Sequence, residues 1–247
     1  MPEIALEPLP FQEAADYFGD RVPMTPEQFA ALAADARTTA FMVSGVARMD
    51  LCVGIHDAIL KAIEEGETLA EFQDRVDDIF AAQGFIASEE GLGAWRLETI
   101  FRTNIQTAYN VGRYRQLVDL KDRFPYWEYD AVNDSNTRPE HAALDGKVFP
   151  ADSPFWDTWY PPNGFNCRCG VLPIHKYAAE EENLTIETED PTGKLIEPID
   201  AAGNRLPARL LIPDPGFSRN PAKDPWQPDL SKYPEPLRGR FEKEMNT

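Results

Sequence analysis

The sequence has no apolar run long enough to cross a membrane and few cysteines. No stretch of 18 consecutive apolar residues occurs, which excludes a membrane-spanning helix. Residues 1–18 lack the basic and apolar segments of a signal peptide, so we expect the newly synthesised chain to be in the cytoplasm. The three cysteines are Cys52, Cys167 and Cys169, and their odd number argues against a disulfide framework.

Basic residues are also scarce. The chain has 24 Lys and Arg against 42 Asp and Glu, which gives a formal net charge of −18. Non-specific DNA binding needs cationic side chains that displace counterions, so this charge opposes it and favours solubility. Hydrophobic residues still make up 43% of the 247 residues, enough for a sizeable core in one large domain or two small ones.

Helical periodicity dominates the first 122 residues. Thr25 and Thr68 each begin a capping box, and Gly66 and Gly84 are typical of positions just past a helix end. The apolar spacing predicts helices at about 11–18, 26–37, 44–65, 69–83 and 94–121. The last helix would span about 40 Å at 1.5 Å per residue and form the spine of this region.

The pattern changes at Pro125. Residues 126–132 are aromatic and partly alternating, which predicts a strand, and a capping box at 137–140 predicts a short helix through Leu144. Further short strands are expected at 147–149 and 167–173, with residues 150–166 as a loop.

The remainder of the chain is acidic and then rich in proline. Residues 180–190 hold six acidic side chains, a small hairpin is expected near 195–200, and residues 205–240 contain eight prolines. That density of proline forbids regular helix and central strand. Large aromatic side chains dominate interface energetics, so Phe217 and Trp226 are the predicted partner contacts of this arm.

These patterns predict an α+β protein. A helical region (1–122) would pack on a small β-containing module (123–178), and an acidic linker with an extended Pro-rich arm (179–247) would follow.

One face of the long predicted helix is polar although its neighbouring faces are apolar. Its members follow spacings of 4, 3 and 4 and are Arg102, Gln106, Tyr109 and Arg113. If this face is covered, the arginines need acceptors, and Asp130, Asp134 and Asp145 are suitable. The sequence thus predicts a network that bonds the helix to the β module; the alternative is a solvated face.

Two thiols and two imidazoles near the end of the module suit a tetrahedral zinc ion. The set is His141, Cys167, Cys169 and His175. A small, loop-rich module often needs a metal ion or a similar cross-link for stability, so structural zinc is the one candidate cofactor. The alternatives are reduced strand cysteines with an ordinary hydrogen-bonded His141, or a Cys–His nucleophile. No Gly-rich phosphate loop, G-x-S-x-G or H-E-x-x-H motif occurs, and no catalytic residue is assigned.

Three phrases resemble the phage Mu F-like head morphogenesis family. They are R-T-N with A-Y-N-V-G-R at 102–113, D-S-N-T-R-P-E-H-A-A-L-D-G at 134–146, and P-P-N-G-F-N-C-R-C at 161–169. The phrase A-F-M-V-S-G at 40–45 resembles the helical lead of the same proteins, so the similarity covers about residues 10–175.

The resemblance implies a structural minor head protein of a tailed bacteriophage and not an enzyme. Such a protein would act inside the virion head, docking to the portal protein and to the major capsid or scaffold protein, after assembly in the host cytoplasm. Packaged DNA is a further candidate partner. One alternative is an enzyme with an ADP-ribosyltransferase-like fold that uses Arg102 and an acidic residue of 128–145. Another is a DNA-contacting internal head protein that uses the arginines of 96–123, which the net charge opposes.

Overall fold

The computed structural model describes residues 11–32, 39–199 and 203–223. Helices dominate the first half of these ranges and short strands the second, so the predicted α+β class is confirmed. Within the described ranges, the helices lack the combination of length and apolar character that a membrane crossing requires.

Helices build the N-terminal part. They are α1 (Gln12–Gly19), α2 (Pro26–Ala31), α3 (Met49–Glu65), α4 (Leu69–Ala82) and α5 (Ala94–Asp119), with β1 (Val22–Pro23) and β2 (Ala40–Phe41) paired in parallel between them. The capping boxes at Thr25 and Thr68 are complete, as predicted. Gly66 ends α3 in the left-handed conformation with φ of 72°. Helix α3 begins later than predicted because Gly45 turns the chain with φ of 79°.

The first hydrophobic core lies among α1, α3, α4 and α5. Phe18, Ile55, Ile59, Phe72 and Val76 are fully buried there. Their spacing along each helix explains why the sequence predicted these elements.

A three-stranded antiparallel sheet forms the centre of the second part. Strand β3 (Tyr126–Asp130) lies between β4 (Val148–Pro150) and β5 (Gly170–Ile174). Trp127 and Tyr129 point to the same side of β3 and are buried. They join an aromatic second core to which Phe149, Phe155, Trp156, Trp159 and Tyr160 also belong.

Two short helices differ from the expectations for this part. The predicted loop at 150–166 contains α7 (Phe155–Trp159), because Phe155, Trp156 and Trp159 together cover the second core. Helix α6 (Pro139–Ala142) is present, but its predicted capping box is wrong: Arg138 is the N-cap residue, and the hydroxyl of Thr137 bonds Asp134 instead. The third short helix, α8 (Lys176–Glu181), begins the acidic segment.

The described part of the Pro-rich segment packs against the chain's own β module. Strands β6 (Leu195–Ile196) and β7 (Arg209–Leu210) pair in antiparallel fashion. Leu211 is buried in the second core. Asn220 is also buried, and its side-chain amide donates to the carbonyl of Trp156 at 3.1 Å. Residues 211–220 therefore complete the module, while Trp226 lies outside the described residues.

Helix α1 and the preceding Phe11 pack closely against α5 at Gly112. A Cβ atom there would lie 2.8 Å from Cζ of Phe11 and 3.0 Å from the backbone nitrogen of Ala14. We expect Gly112→Val to lower the free energy of unfolding by about 2 kcal/mol or more, because the added atoms force α1 away from α5. Urea unfolding of the full chain measures the change.

Arg113→Val is the matched control for this substitution. Arg113 is adjacent and exposed, so the change should cost only the lower helix propensity of valine, roughly half a kcal/mol. Equal losses for the two variants would contradict the close helix contact.

Candidate metal centre

The fold brings His141, Cys167 and Cys169 together in a buried cluster. Nδ1 of His141 lies 3.7 Å from Sγ of Cys167 and 3.5 Å from Sγ of Cys169. The three potential ligand atoms all lie within 4.8 Å of one another, and all three residues are buried. Three of the four predicted zinc ligands therefore share one site.

His175, the fourth predicted ligand, is elsewhere. It is the N-cap residue of α8, where its Nδ1 accepts a hydrogen bond from the backbone nitrogen of Tyr177 at 3.3 Å. Strand β5 lies between Cys169 and His175. An extended chain rises about 3.3 Å per residue, so the two residues are about 20 Å apart. The predicted set of four ligands is therefore wrong, because His175 does not belong to it.

The cluster is held by two separate chain segments. Helix α6 provides His141, and the turn just before β5 provides both cysteines. Arg168, between the cysteines, points outward and donates to both carboxylate oxygens of Asp134 at 2.7 and 2.6 Å. This guanidinium lowers the pKa of the Asp134 carboxyl to about 2. The bidentate pair ties the two ligand-bearing segments together on the outside of the cluster.

Helix α5 fixes the cluster from the inside. The side-chain amides of Gln106 and Asn110 donate to the carbonyl oxygen of Cys169 at 3.0 and 3.5 Å. Gln106 therefore bonds the helix to the β module, as predicted. Asn110 was not predicted, although it lies one turn along the same helix and is buried.

The other members of the predicted polar stripe do not make the expected contacts. Arg102 pairs with Glu98 on its own helix at 2.7 Å, and its side chain is 50% exposed. The ring of Tyr109 packs against Phe11 at a centroid distance of 5.4 Å, and Arg113 is exposed near Tyr160. The predicted pairing of these arginines with aspartates of the module is wrong, because they lie on the solvent side of α5.

The predicted aspartate partners have other roles. Besides the Asp134 pair described above, Asp145 accepts from the backbone nitrogen of Ala131 at 2.8 Å and from the amide of Asn133 at 2.5 Å. Asp145 therefore closes the loop after β3, a local role that its position in a tight-turn sequence could have indicated.

A buried hydrogen bond beside the thiols was missed by the sequence reasoning. The hydroxyl of Tyr129 lies next to Cys169 and donates to Oδ1 of Asn163 at 2.9 Å. Asn163 is fully buried, and its amide donates to the carbonyl of Thr158 at 3.3 Å. Burial and the neighbouring thiols raise the pKa of Tyr129. The only signal in the sequence was the position of Asn163 within the P-P-N-G-F-N-C-R-C phrase.

The two thiols are buried close together and influence each other's pKa. The hydrogen bond from Cys169, with His141 close by, lowers the pKa of the Cys167 thiol. The same hydrogen bond and burial raise the pKa of the Cys169 thiol. One thiolate is thus favoured within a buried pair, an arrangement that attracts a cation.

An open cleft leads from the cluster to the surface. Besides the three cluster residues, it is lined by Val132, Asn136, Thr137, Arg138, Asn166 and Arg168. Arg138 donates to the carbonyl of Phe165 at 2.9 Å and pairs with Asp214 at 2.9 Å. Gly164 leaves no room for a Cβ atom against Asp214. The segment around Asp214 therefore closes tightly over one edge of the cleft.

Comparison with known proteins assigns this arrangement to a family. Residues 53–172 match the sequence model of the family described as Phage Mu protein F like protein. That span contains most of α3, all of α4 and α5, the cluster and all three phrases that carried the resemblance. Over these residues the chain matches the Mu F-like family, which confirms the resemblance seen in the sequence.

Two curated relatives are similar to the chain. It is 34% identical over 239 residues to the "Putative capsid assembly protein F" of Escherichia phage Mu, covering 86% of this chain and 54% of that protein. It is 38% identical over 163 residues to the "Mu-like prophage FluMu F protein" of Haemophilus influenzae, covering 63% of this chain and 39% of that protein. The chain thus spans about half the length of these relatives or less. No solved structure matches it.

Substitution of Asn163 tests the buried hydrogen bond. Asn163→Ala leaves the Tyr129 hydroxyl buried without its acceptor, so we expect the free energy of unfolding to fall by about 1–3 kcal/mol. Asn136→Ala, at an exposed position, is the control and should change stability by less than about 0.5 kcal/mol. Urea unfolding measures both; an Asn163 variant as stable as the control would refute the assignment.

Proposed function

We propose that the chain acts in capsid assembly of a tailed bacteriophage, as a structural protein that binds other head components. The observation that carries the proposal is the alignment over 239 residues with a relative whose name states a capsid assembly role. The family match over residues 53–172 supports it, because it covers α5 and the three-stranded sheet apart from the end of β5.

The proposed place of action is the interior of the virion head. The partners that fit are the portal protein and the major capsid or scaffold protein. A formal net charge of −18 supports a position beside packaged DNA without adhesion to it, since like charges repel. The same charge weighs against the DNA-contacting alternative. No observation favours the enzyme alternative, because Arg102 lies in an exposed ion pair with Glu98 rather than in the cleft.

The proposed contact surface is an aromatic pair at the edge of the cleft. Phe165 is 56% exposed, and the ring of Phe217 packs edge-on against it at a centroid distance of 5.0 Å. Phe217 was a predicted partner contact, and its neighbour Phe165 adds a second ring to the same surface. A pre-ordered aromatic pair loses little conformational entropy when a protein partner covers it.

The functional test is a stop codon early in the gene of the phage that encodes the chain. We expect DNA-filled heads to fall sharply in number in electron micrographs of lysates, because a head component is missing. Expression of the full chain from a plasmid should restore them, and mass spectrometry should then find the chain in purified heads. Normal numbers of filled, infectious heads without the chain would refute the assembly role.

A double substitution tests the aromatic pair. We expect Phe165→Ala with Phe217→Ala to reduce the amount of the chain in purified heads at least several-fold while the protein stays folded, because an exposed ring and its half-buried neighbour are removed from the proposed interface. Quantitative mass spectrometry of heads gives the ratio to the portal protein. Ile86→Ala is the control, since Ile86 is 58% exposed and lies between α4 and α5. Equal incorporation of both variants would show that the pair is not the contact.

A truncation of the arm that leaves the module intact has to retain residues 211–220, because they pack against it. A deletion of 205–247 would remove buried Leu211 and Asn220 from the module. A chain that ends at Lys223 keeps these contacts and removes Trp226, the second predicted partner contact.

A further inference from the structure

We propose that Nδ1 of His141 and the sulfurs of Cys167 and Cys169 bind one zinc ion, whose fourth coordination position opens into the cleft. This inference concerns the isolated protein and does not depend on the assembly role.

The distances within the cluster fit a tetrahedral ion. Zinc bonds thiolate sulfur at about 2.3 Å and imidazole nitrogen at about 2.0–2.1 Å. A sulfur and a nitrogen bound to the same tetrahedral zinc ion therefore lie about 3.6 Å apart. The two nitrogen-to-sulfur distances in the cluster are 3.7 and 3.5 Å. These two distances match two edges of a zinc tetrahedron, and the two sulfurs lie within 4.8 Å of each other.

Hydrogen bonds with His141 account for only one of its two contacts to sulfur. Both sulfurs approach the same nitrogen of His141, and Nδ1 has either one proton to give or one lone pair to accept with. One of the two contacts is therefore left without a good hydrogen bond in a buried site. A cation at the centre satisfies all three atoms at once, and two thiolates neutralise the charge of Zn²⁺ without a buried excess.

The surroundings hold the ligands in place, as the outer partners of metal sites do. The hydroxyl of Tyr129 lies beside Cys169, and the amide of Gln106 fixes the Cys169 carbonyl. On the outside, the Arg168–Asp134 pair joins the loop that precedes α6 to the turn that carries the cysteines. These contacts keep the three ligand atoms directed at one point. A bound ion would therefore link α6 to the segment just before β5.

The fourth position faces the cleft. Its described lining beyond the ligands offers amide, hydroxyl and guanidinium groups, from residues such as Asn136, Thr137 and Asn166, and no further His, Cys, Asp or Glu. His175 is too distant to reach it. A water molecule therefore completes the tetrahedron, held by the polar groups at the mouth.

Metal analysis of the purified full chain tests the site. We expect about one zinc ion per chain by inductively coupled plasma mass spectrometry, from cells grown with zinc and purified without chelators. X-ray absorption should give two sulfurs at about 2.3 Å and two nitrogen or oxygen atoms at about 2.0–2.1 Å. Wild-type protein without zinc, both as purified and after dialysis against zinc chloride, would overturn the proposal.

Matched variants identify the ligands. Cys167→Ser, Cys169→Ser and His141→Ala should each lose the metal, whereas Cys52→Ala should keep it, because Cys52 is an equally buried thiol in the first core. His175→Ala should also keep it. Zinc retained in full by Cys167→Ser and Cys169→Ser, or lost from Cys52→Ala or His175→Ala in folded protein, would overturn the assignment. Where a ligand variant does not fold, Co²⁺ exchange into the wild type decides instead: thiolate-to-cobalt charge-transfer absorption supports the site, and its absence overturns it.

Discussion

The burial of α5 by two hydrophobic cores is the constraint on which the rest of the structure depends. Its first part, through Leu97 and Val111, contributes to the helical core, and its last turns, through Tyr114 and Leu117, contribute to the aromatic core. Within the first part, the amide of Gln106 holds the backbone carbonyl of Cys169. The position of the cluster relative to the helical region is therefore set by one rigid element rather than by a linker.

Local signals in the sequence predicted most of the helical region, because caps and 3.6-residue periodicity are properties of single segments. Thr25 and Thr68 cap the helices that they were expected to cap. The stretch at 150–166 was harder, because proline and aspartate indicated a loop while Phe155, Trp156 and Trp159 form a short buried helix. Whether Arg102 faced the module or solvent depended on how α5 sits against its neighbours, which spacing along one helix cannot reveal.

The sequence predicted three residues of the candidate site correctly and the fourth wrongly. Thiols and imidazoles are recognisable ligands, and Cys167, Cys169 and His141 do meet. His175 was included because it is close in sequence, yet a five-residue strand, β5, separates it from the cysteines. The supporting amide of Asn163 had no such signal, because its role comes from complete burial against Tyr129 rather than from a reactive group.

The packing of Leu211 and Asn220 against the module has a consequence for the order of events on the ribosome. The sheet and the thiols are synthesised first, but the aromatic core is closed only after the residues around Asn220 have emerged from the exit tunnel. The paired rings of Phe165 and Phe217 consequently form only once the residues around Phe217 have packed on the module. A chain that stops before these residues therefore lacks the cover of the aromatic core and the ring pair together, although its sheet and its thiols are already made.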